Sequence, residues 1–235
     1  MEETGNYLHL SGILTDTPEY GHEVFGEKFY YATLSVPRLS GAEDLLPITI
    51  SERLMEGVDL SIGTPLRFEG QLRSYNKVVE GAGRLLITGF VQRLLDPETD
   101  ENPNQVQLTG ALCKPPSYRT TPFGREIADL MLAVNRAYGK SDYIPCITWG
   151  RTARFASHLK VGDKVTLLGR FQSRAYQKQL ADGTVLNKTA YEVSVGRLTT
   201  AENLVQPTVP YVIRREEAPM HYDSGTDSGL YGNPQ

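Results

Sequence analysis

Tyr143-Ile-Pro-Cys-Ile-Thr-Trp149, then Arg151-Thr-Ala-Arg-Phe-Ala-Ser-His-Leu159, then Lys164-Val-Thr-Leu-Leu-Gly-Arg-Phe-Gln-Ser-Arg-Ala-Tyr176 reads as a strand, a short amphipathic segment and a second strand beyond a Gly-Asp turn. Alternate side chains of a strand share one face. Tyr143 and Trp149 therefore point one way while Ile144 and Cys146 point the other. Downstream, Arg170, Gln172, Arg174 and Tyr176 share a parity. Rings that stack on bases and cations that follow phosphates, set on one sheet face, are what holding a single-stranded nucleic acid requires.

Working outward, the 235 residues hold one large domain or two ordinary ones, and 40% hydrophobic content suffices for real cores. No segment reaches the ~18 apolar residues of a membrane helix, and Met1-Glu-Glu-Thr-Gly5 has neither the basic start nor the apolar run of a secretory signal. The reading expects a cytoplasmic, nucleoid-associated protein with no membrane partner. Cys113 and Cys146 lack any CxxC context and read as small buried hydrophobes in a reducing compartment rather than as a disulfide. Four scattered His without HExxH suggest no metal site, and no cofactor is expected. Phosphate-loop and GxSxG signatures are absent, so the chain does not read as an enzyme.

The net charge of −4 conceals a segregation. Residues 1–95 carry 8 Lys and Arg against 13 Asp and Glu, whereas residues 104–200 carry 14 against 6. The second segment is the candidate for phosphate contact.

Alternating strands are expected over Tyr7–Leu14, Phe29–Val36, Pro47–Ile50, Leu66–Tyr75 and Arg84–Leu94, with a helix from Glu52 to Leu60. Asp96-Pro-Glu-Thr-Asp-Glu-Asn-Pro103 has two prolines, four acids and no large apolar residue, and reads as a linker. Beyond it the pattern restarts. Leu10-Ser-Gly12-Ile-Leu14 recurs as Leu108-Thr-Gly110-Ala-Leu112, Phe25-Gly26-Glu27 as Phe123-Gly124-Arg125, and Asp44-Leu-Leu-Pro47 as Asp142-Tyr-Ile-Pro145, all at an offset of 98. Gly70-Gln-Leu-Arg-Ser74 matches Gly169-Arg-Phe-Gln-Ser173 at 99. The chain is therefore read as an all-β tandem duplication: two five-stranded OB-fold barrels, each with one helix between strands 3 and 4. The second helix is expected over Arg151–Leu159, with Thr152, Phe155, Ala156 and Leu159 as its apolar stripe. The expected organisation is a first OB domain at 1–95, a linker at 96–103, a second OB domain at 104–200 and a flexible tail at 201–235.

So laid out, the second copy resembles the bacterial single-stranded DNA-binding protein family. Asn104-Gln-Val-Gln-Leu-Thr-Gly-Ala-Leu112 is similar to that family's opening strand, Tyr143 to Ala156 to its aromatic strand and following segment, and Gly169-Arg-Phe-Gln-Ser-Arg-Ala-Tyr176 to its later strand. The resemblance implies that four base-stacking positions fall on Tyr138, Tyr143, Trp149 and Tyr176. It also implies a homo-oligomer, with the two-domain arrangement favouring a dimer. The family's usual acidic-hydrophobic end, which recruits replication and repair proteins, has no counterpart in Gly229-Leu-Tyr-Gly-Asn-Pro-Gln235.

Trp149 alone reads equally as core, and its parity with Tyr143 tips it to the surface. Arg170 and Arg174 share the face of Tyr176. Arg151 and Lys178 flank it, Arg119 and Arg125 bracket a hairpin, and Lys140 neighbours Tyr138. Phe123, in that hairpin, is either a wedge onto a strand or a packed turn residue. In the first copy, Ser40, Leu45 and Ser51 stand where Tyr138, Tyr143 and Trp149 stand in the second. Tyr75 and Arg73 offer a partial replacement. The first copy is thus read as degenerate and acidic, serving dimerisation, partner contact or weak strand binding. The function expected is sequence-tolerant single-stranded DNA binding in replication, repair or recombination, with RNA binding, a primosome accessory role and a protein–protein adaptor as alternatives.

Overall fold

The computed structural model of the chain describes residues 5–79, 82–97, 100–136, 139–179 and 184–200. The first half contains β1 (Asn6–Leu14), β2 (Glu19–Val24), β3 (Glu27–Pro37), β4 (Glu43–Ser51), α1 (Glu52–Met55), β5 (Pro65–Val79) and β6 (Ala82–Leu95). The second contains β7 (Asn104–Leu112), β8 (Ser117–Thr120), β9 (Glu126–Asn135), β10 (Ser141–Trp149), α2 (Gly150–Ala156), β11 (Lys164–Gln179) and β12 (Val185–Thr200). The expected tail lies outside the described residues.

Among the described residues each half has six strands rather than five. The additions are β2 and β8, which lie in the turn-rich stretches and are mostly exposed, so no hydrophobic alternation announces them. Both helices are shorter than expected. Gly57 adopts φ +75 just past α1, a conformation that ends an α-helix. In α2 the buried residues are Ala153 and Ala156, while Phe155 is exposed. The helix lies against β9 and β10, so of the expected stripe Ala156 and, just past the helix, Leu159 pack inward while Phe155 faces out.

The sheet order is β2-β3-β4-β6-β5-β1-β7-β11-β12-β10-β9-β8, a sequence that reads the same from either end once copies are equated. Within each half the first strand also pairs back onto the third, Leu14 with Leu34 and Leu112 with Leu132, so the sheet curls. That approach depends on two glycines. A Cβ at Gly12 would sit 2.2 Å from the Ser35 carbonyl oxygen, and one at Gly110 2.3 Å from that of Ala133. Inside, Leu8, Leu34, Phe68 and Leu72 fill one half and Leu108, Leu132, Ile144 and Phe171 the other, all fully buried.

β1 joins β7 antiparallel, with Leu8 opposite Val106, Asn6 opposite Leu108 and Leu10 opposite Asn104. Leu8 and Val106 are counterparts at the offset of 98, so the two copies meet across a local pseudo-twofold axis. Asn6 and Asn104 repeat one device on either side of it. Each amide exchanges two hydrogen bonds with the backbone of its own half, Asn6 with Leu72 at 2.7 and 2.9 Å and Asn104 with Phe171 at 2.6 and 2.8 Å. The expected linker is anchored where it is described. Asp100 meets the buried His9 imidazole and lies 3.4 Å from Arg67 Nε, and the Pro103 carbonyl accepts the Ser11 N–H at 2.8 Å.

Among the described residues no helix is long and apolar enough to cross a membrane. Nor is there a cluster of three or more His, Cys, Asp or Glu that could hold a metal ion. Cys113 and Cys146 are free thiols; Cys146 is buried, and burial pushes its pKa up.

Candidate nucleic-acid interface

The outer face of the second half crosses β11, β12, β10 and β9. β11 presents Arg170, Gln172, Arg174 and Tyr176. Ser194 of β12 stands opposite Arg170, and Glu192 opposite Gln172. Trp149, at the end of β10, stands opposite Ile127 of β9. The parity expected for β10 holds: Tyr143 is 46% and Trp149 40% exposed, while Ile144 and Cys146 are buried. The Trp149 indole N–H donates to Ser194 Oγ at 3.3 Å, which fixes the ring edge and leaves its faces for other contacts.

Trp149, Arg125, Arg170, Gln172, Arg174 and Ser194 line a cleft of about 540 Å³, joined from the first half by Arg38, Ala42 and Glu43. Tyr176, 39% exposed, continues the face, with the Arg174 guanidinium 5.9 Å above its ring. The cleft is less free in its cations than their number suggests. Arg174 donates to both Glu192 oxygens, at 3.0 and 3.2 Å. Arg170 lies 3.7 Å from Asp44 of the other half. Arg119 donates to Asp129 at 2.7 Å, although burial pushes the Asp129 carboxyl up against that cation. Arg125 is exposed at the cleft wall. Arg151, exposed on α2, and Arg119 lie outside the cleft lining. Tyr138 and the side chain of Lys178 lie outside the described residues. Phe123 is 82% exposed, so it is not a packed turn residue.

Lys140 belongs to a different place from the one expected. It lines a second cleft, of about 570 Å³, with His22, Tyr31, Thr49, Arg73, Ser74, Tyr75, Thr88, Phe90 and Arg136. The reason is an exchange across the pseudo-twofold axis. Residues 38–43 of the first half reach the cleft of the second, and Arg136 and Lys140 of the second reach the cleft of the first.

The exchange is locked by two buried carboxylates. Asp142, fully buried, accepts the Ser74 N–H at 2.5 Å and Arg136 Nε at 2.5 Å, with Arg73 Nη1 at 3.2 Å, while Arg136 also donates to the Ser74 carbonyl at 3.0 Å. Asp44 accepts the Ser173 N–H at 2.7 Å and Arg38 Nε at 2.8 Å, while Arg38 donates to the Ser173 carbonyl at 2.8 Å. Burial would raise the Asp142 carboxyl, but hydrogen bonds from Arg136 and Ser74 and the charge of Arg73 outweigh it and hold the pKa below the ordinary value.

Sequence reasoning compared the first copy at the ring positions of the second, where the match fails as read, and added Tyr75 and Arg73 as a partial replacement. It missed rings carried on other strands. His22 and Phe29 stack at 5.1 Å, Phe29 meets Phe90 at 5.7 Å, and Arg73 lies 5.6 Å over Phe90. Burial foremost, then the Tyr31 hydroxyl, pushes the Tyr75 phenol up to about 12. The signal was present: Phe29 and Tyr31 share a parity opposite to that of buried Ala32 and Leu34.

The second half is thus a curled β-sheet with exposed rings and arginines on one outer face. The model of the single-strand binding protein family matches residues 103–200. Single-stranded DNA-binding protein B of Bacillus subtilis is 37% identical over 83 residues, covering 32% of this chain and 74% of that protein. Protein A of the same organism is 41% identical over 83 residues, covering 32% and 48%. Single-stranded DNA-binding protein 1 of Staphylococcus aureus is 40% identical, covering 32% and 50%. The chain belongs to the single-strand binding protein family. It spans about half the length of most of the curated relatives it matches. The wild-type single-stranded DNA binding protein from Thermus aquaticus superposes with a TM-score of 0.64 at 24% identity, covering 88% of this chain and 95% of that one, a likeness of fold over both halves.

Proposed function

We propose that this chain binds single-stranded DNA without strong sequence preference, and that the outer face of residues 104–200 is where the strand lies. The observation that carries the reading is Trp149, an indole 40% exposed on a sheet face and surrounded by Arg125, Arg170 and Arg174. Rings outnumber the paired Asn and Gln that read base edges, which favours stacking over sequence readout. Each half is taken as an OB-type barrel, 1–95 and 104–200, with the helix between its third and fourth barrel strands. β2 and β8 then serve as hairpin arms. The role is non-enzymatic, protecting or organising DNA inside the cell in replication, repair or recombination. The chain already joins two copies through β1 and β7, so a dimer of chains presents four.

Trp149 is the only tryptophan. Titrating the full chain with poly-dT at two salt concentrations should quench its fluorescence, and the effect should weaken with salt as counterion release is opposed. No quenching together with no binding by anisotropy sinks the reading, and tighter binding of poly-rU than of poly-dT redirects it to RNA.

A further inference from the structure

We infer that Phe123, at the tip of the β8–β9 hairpin, is an additional base-stacking ring that takes the strand as it leaves the cleft of the second half, with Arg125 beside it for the phosphates. This deepens the single-strand reading of that half and rests on it.

Strand register leads from Trp149 to this ring. Ile127 of β9 has Trp149 of β10 opposite it on one side and Arg119 of β8 on the other. Arg125, two residues before Ile127, shares its parity and lines the cleft with Trp149. Phe123 comes two residues earlier again, outside both strands and outside the cleft lining. It therefore stands just past the Arg125 wall. The tip is closed by three hydrogen bonds. The Thr121 N–H donates to the Arg125 carbonyl at 2.8 Å, the Gly124 N–H to the Thr121 carbonyl at 2.9 Å, and the Arg125 N–H to Thr121 Oγ1 at 3.0 Å. Gly124 takes φ +75, which glycine adopts without strain. The turn thus presents the ring from a fixed backbone.

A phenyl ring 82% exposed adds nothing to the fold, whereas a base laid on it sheds water and gains a stack. The carboxylates near the hairpin are engaged elsewhere. Glu126 has the opposite parity and lies 2.7 Å from Arg154 Nε of α2, accepting the Tyr118 hydroxyl at 2.5 Å, and Asp129 is held by Arg119. The first half repeats the ring and reverses the charge. Phe25 is fully exposed, at φ +51, but Glu27 stands where Arg125 stands and Glu23 is exposed on the other side of the turn. A ring between carboxylates repels an anionic strand, so the role falls to Phe123 and not to Phe25.

The test uses the full chain and labelled dT oligomers of roughly 4 to roughly 16 nucleotides, the range of site sizes of one such fold, read by fluorescence anisotropy. Phe123→Ala should weaken binding of the longest oligomer about fivefold and of the shortest by much less, because the ring lies past the cleft. Phe123→Leu, apolar but without a π face, should lose as much, and Phe123→Tyr should restore the parent affinity. Phe25→Ala should bind as the parent does. Parent-like affinity of Phe123→Ala at every length overturns the inference. So does rescue by leucine, a loss equal at all lengths, or an equal loss on Phe25→Ala. None of these outcomes touches the proposed function. Failure of the parent chain to bind any of the oligomers overturns both.

Discussion

Asp142, in the second half, accepts the backbone N–H of Ser74, in the first, at 2.5 Å. Its counterpart Asp44 does the same for Ser173 at 2.7 Å. Two sheets that share only the β1–β7 ladder would be free to hinge. This reciprocal clasp fixes their angle, and with it the positions of loop residues lent from one cleft to the other.

Replacing Asp142 with Asn should therefore be costly, because Arg136 and Arg73 would keep their charges in a mostly buried place. A loss of about 3 kcal/mol is expected, at the low end for a broken buried pair since both arginines retain some solvent, and urea denaturation reads it directly.

The same carboxyl predicts a pH dependence. Its folded pKa lies below the ordinary value. Its contribution is therefore complete above the unfolded value of ~3.9 and is lost as pH falls through the lower folded one. Asp142→Asn should show a flatter acid limb than the parent protein in stability measured between neutral pH and about pH 3.

At the cleft, Trp149→Ala should weaken poly-dT binding by about five- to 150-fold, the loss of one base–ring stack of ~1–3 kcal/mol. Fluorescence anisotropy of a labelled oligomer makes the comparison without the indole. An unchanged affinity would return Trp149 to a packing role against Ile127.

Glu192 restrains Arg174 through two hydrogen bonds. Glu192→Gln can still meet Gln172 but no longer neutralises the guanidinium. Binding should tighten, and the slope of log affinity against log salt should steepen by about 0.7, one additional phosphate contact on a single strand.

Gly110→Ala places a Cβ 2.3 Å from the Ala133 carbonyl oxygen, at the point where β7 leaves β11 for β9. Backbone must shift, and a loss of about 1–3 kcal/mol is expected, measurable as a lowered thermal midpoint. Gly12→Ala should behave alike in the other half.

Sequence alone determined the duplication, because an offset of 98 kept across strands, turns and a linker is written residue by residue. It also determined which side of β10 carries Tyr143 and Trp149, since strand parity is a local property of two-residue period. It could not place Lys140 in the other half's cleft or pair Arg174 with Glu192. Those depend on β1 meeting β7 across a pseudo-twofold axis and on strands distant in the chain lying side by side. Net charge sums over a segment, whereas a strand of DNA meets only the side chains that folding brings to one surface.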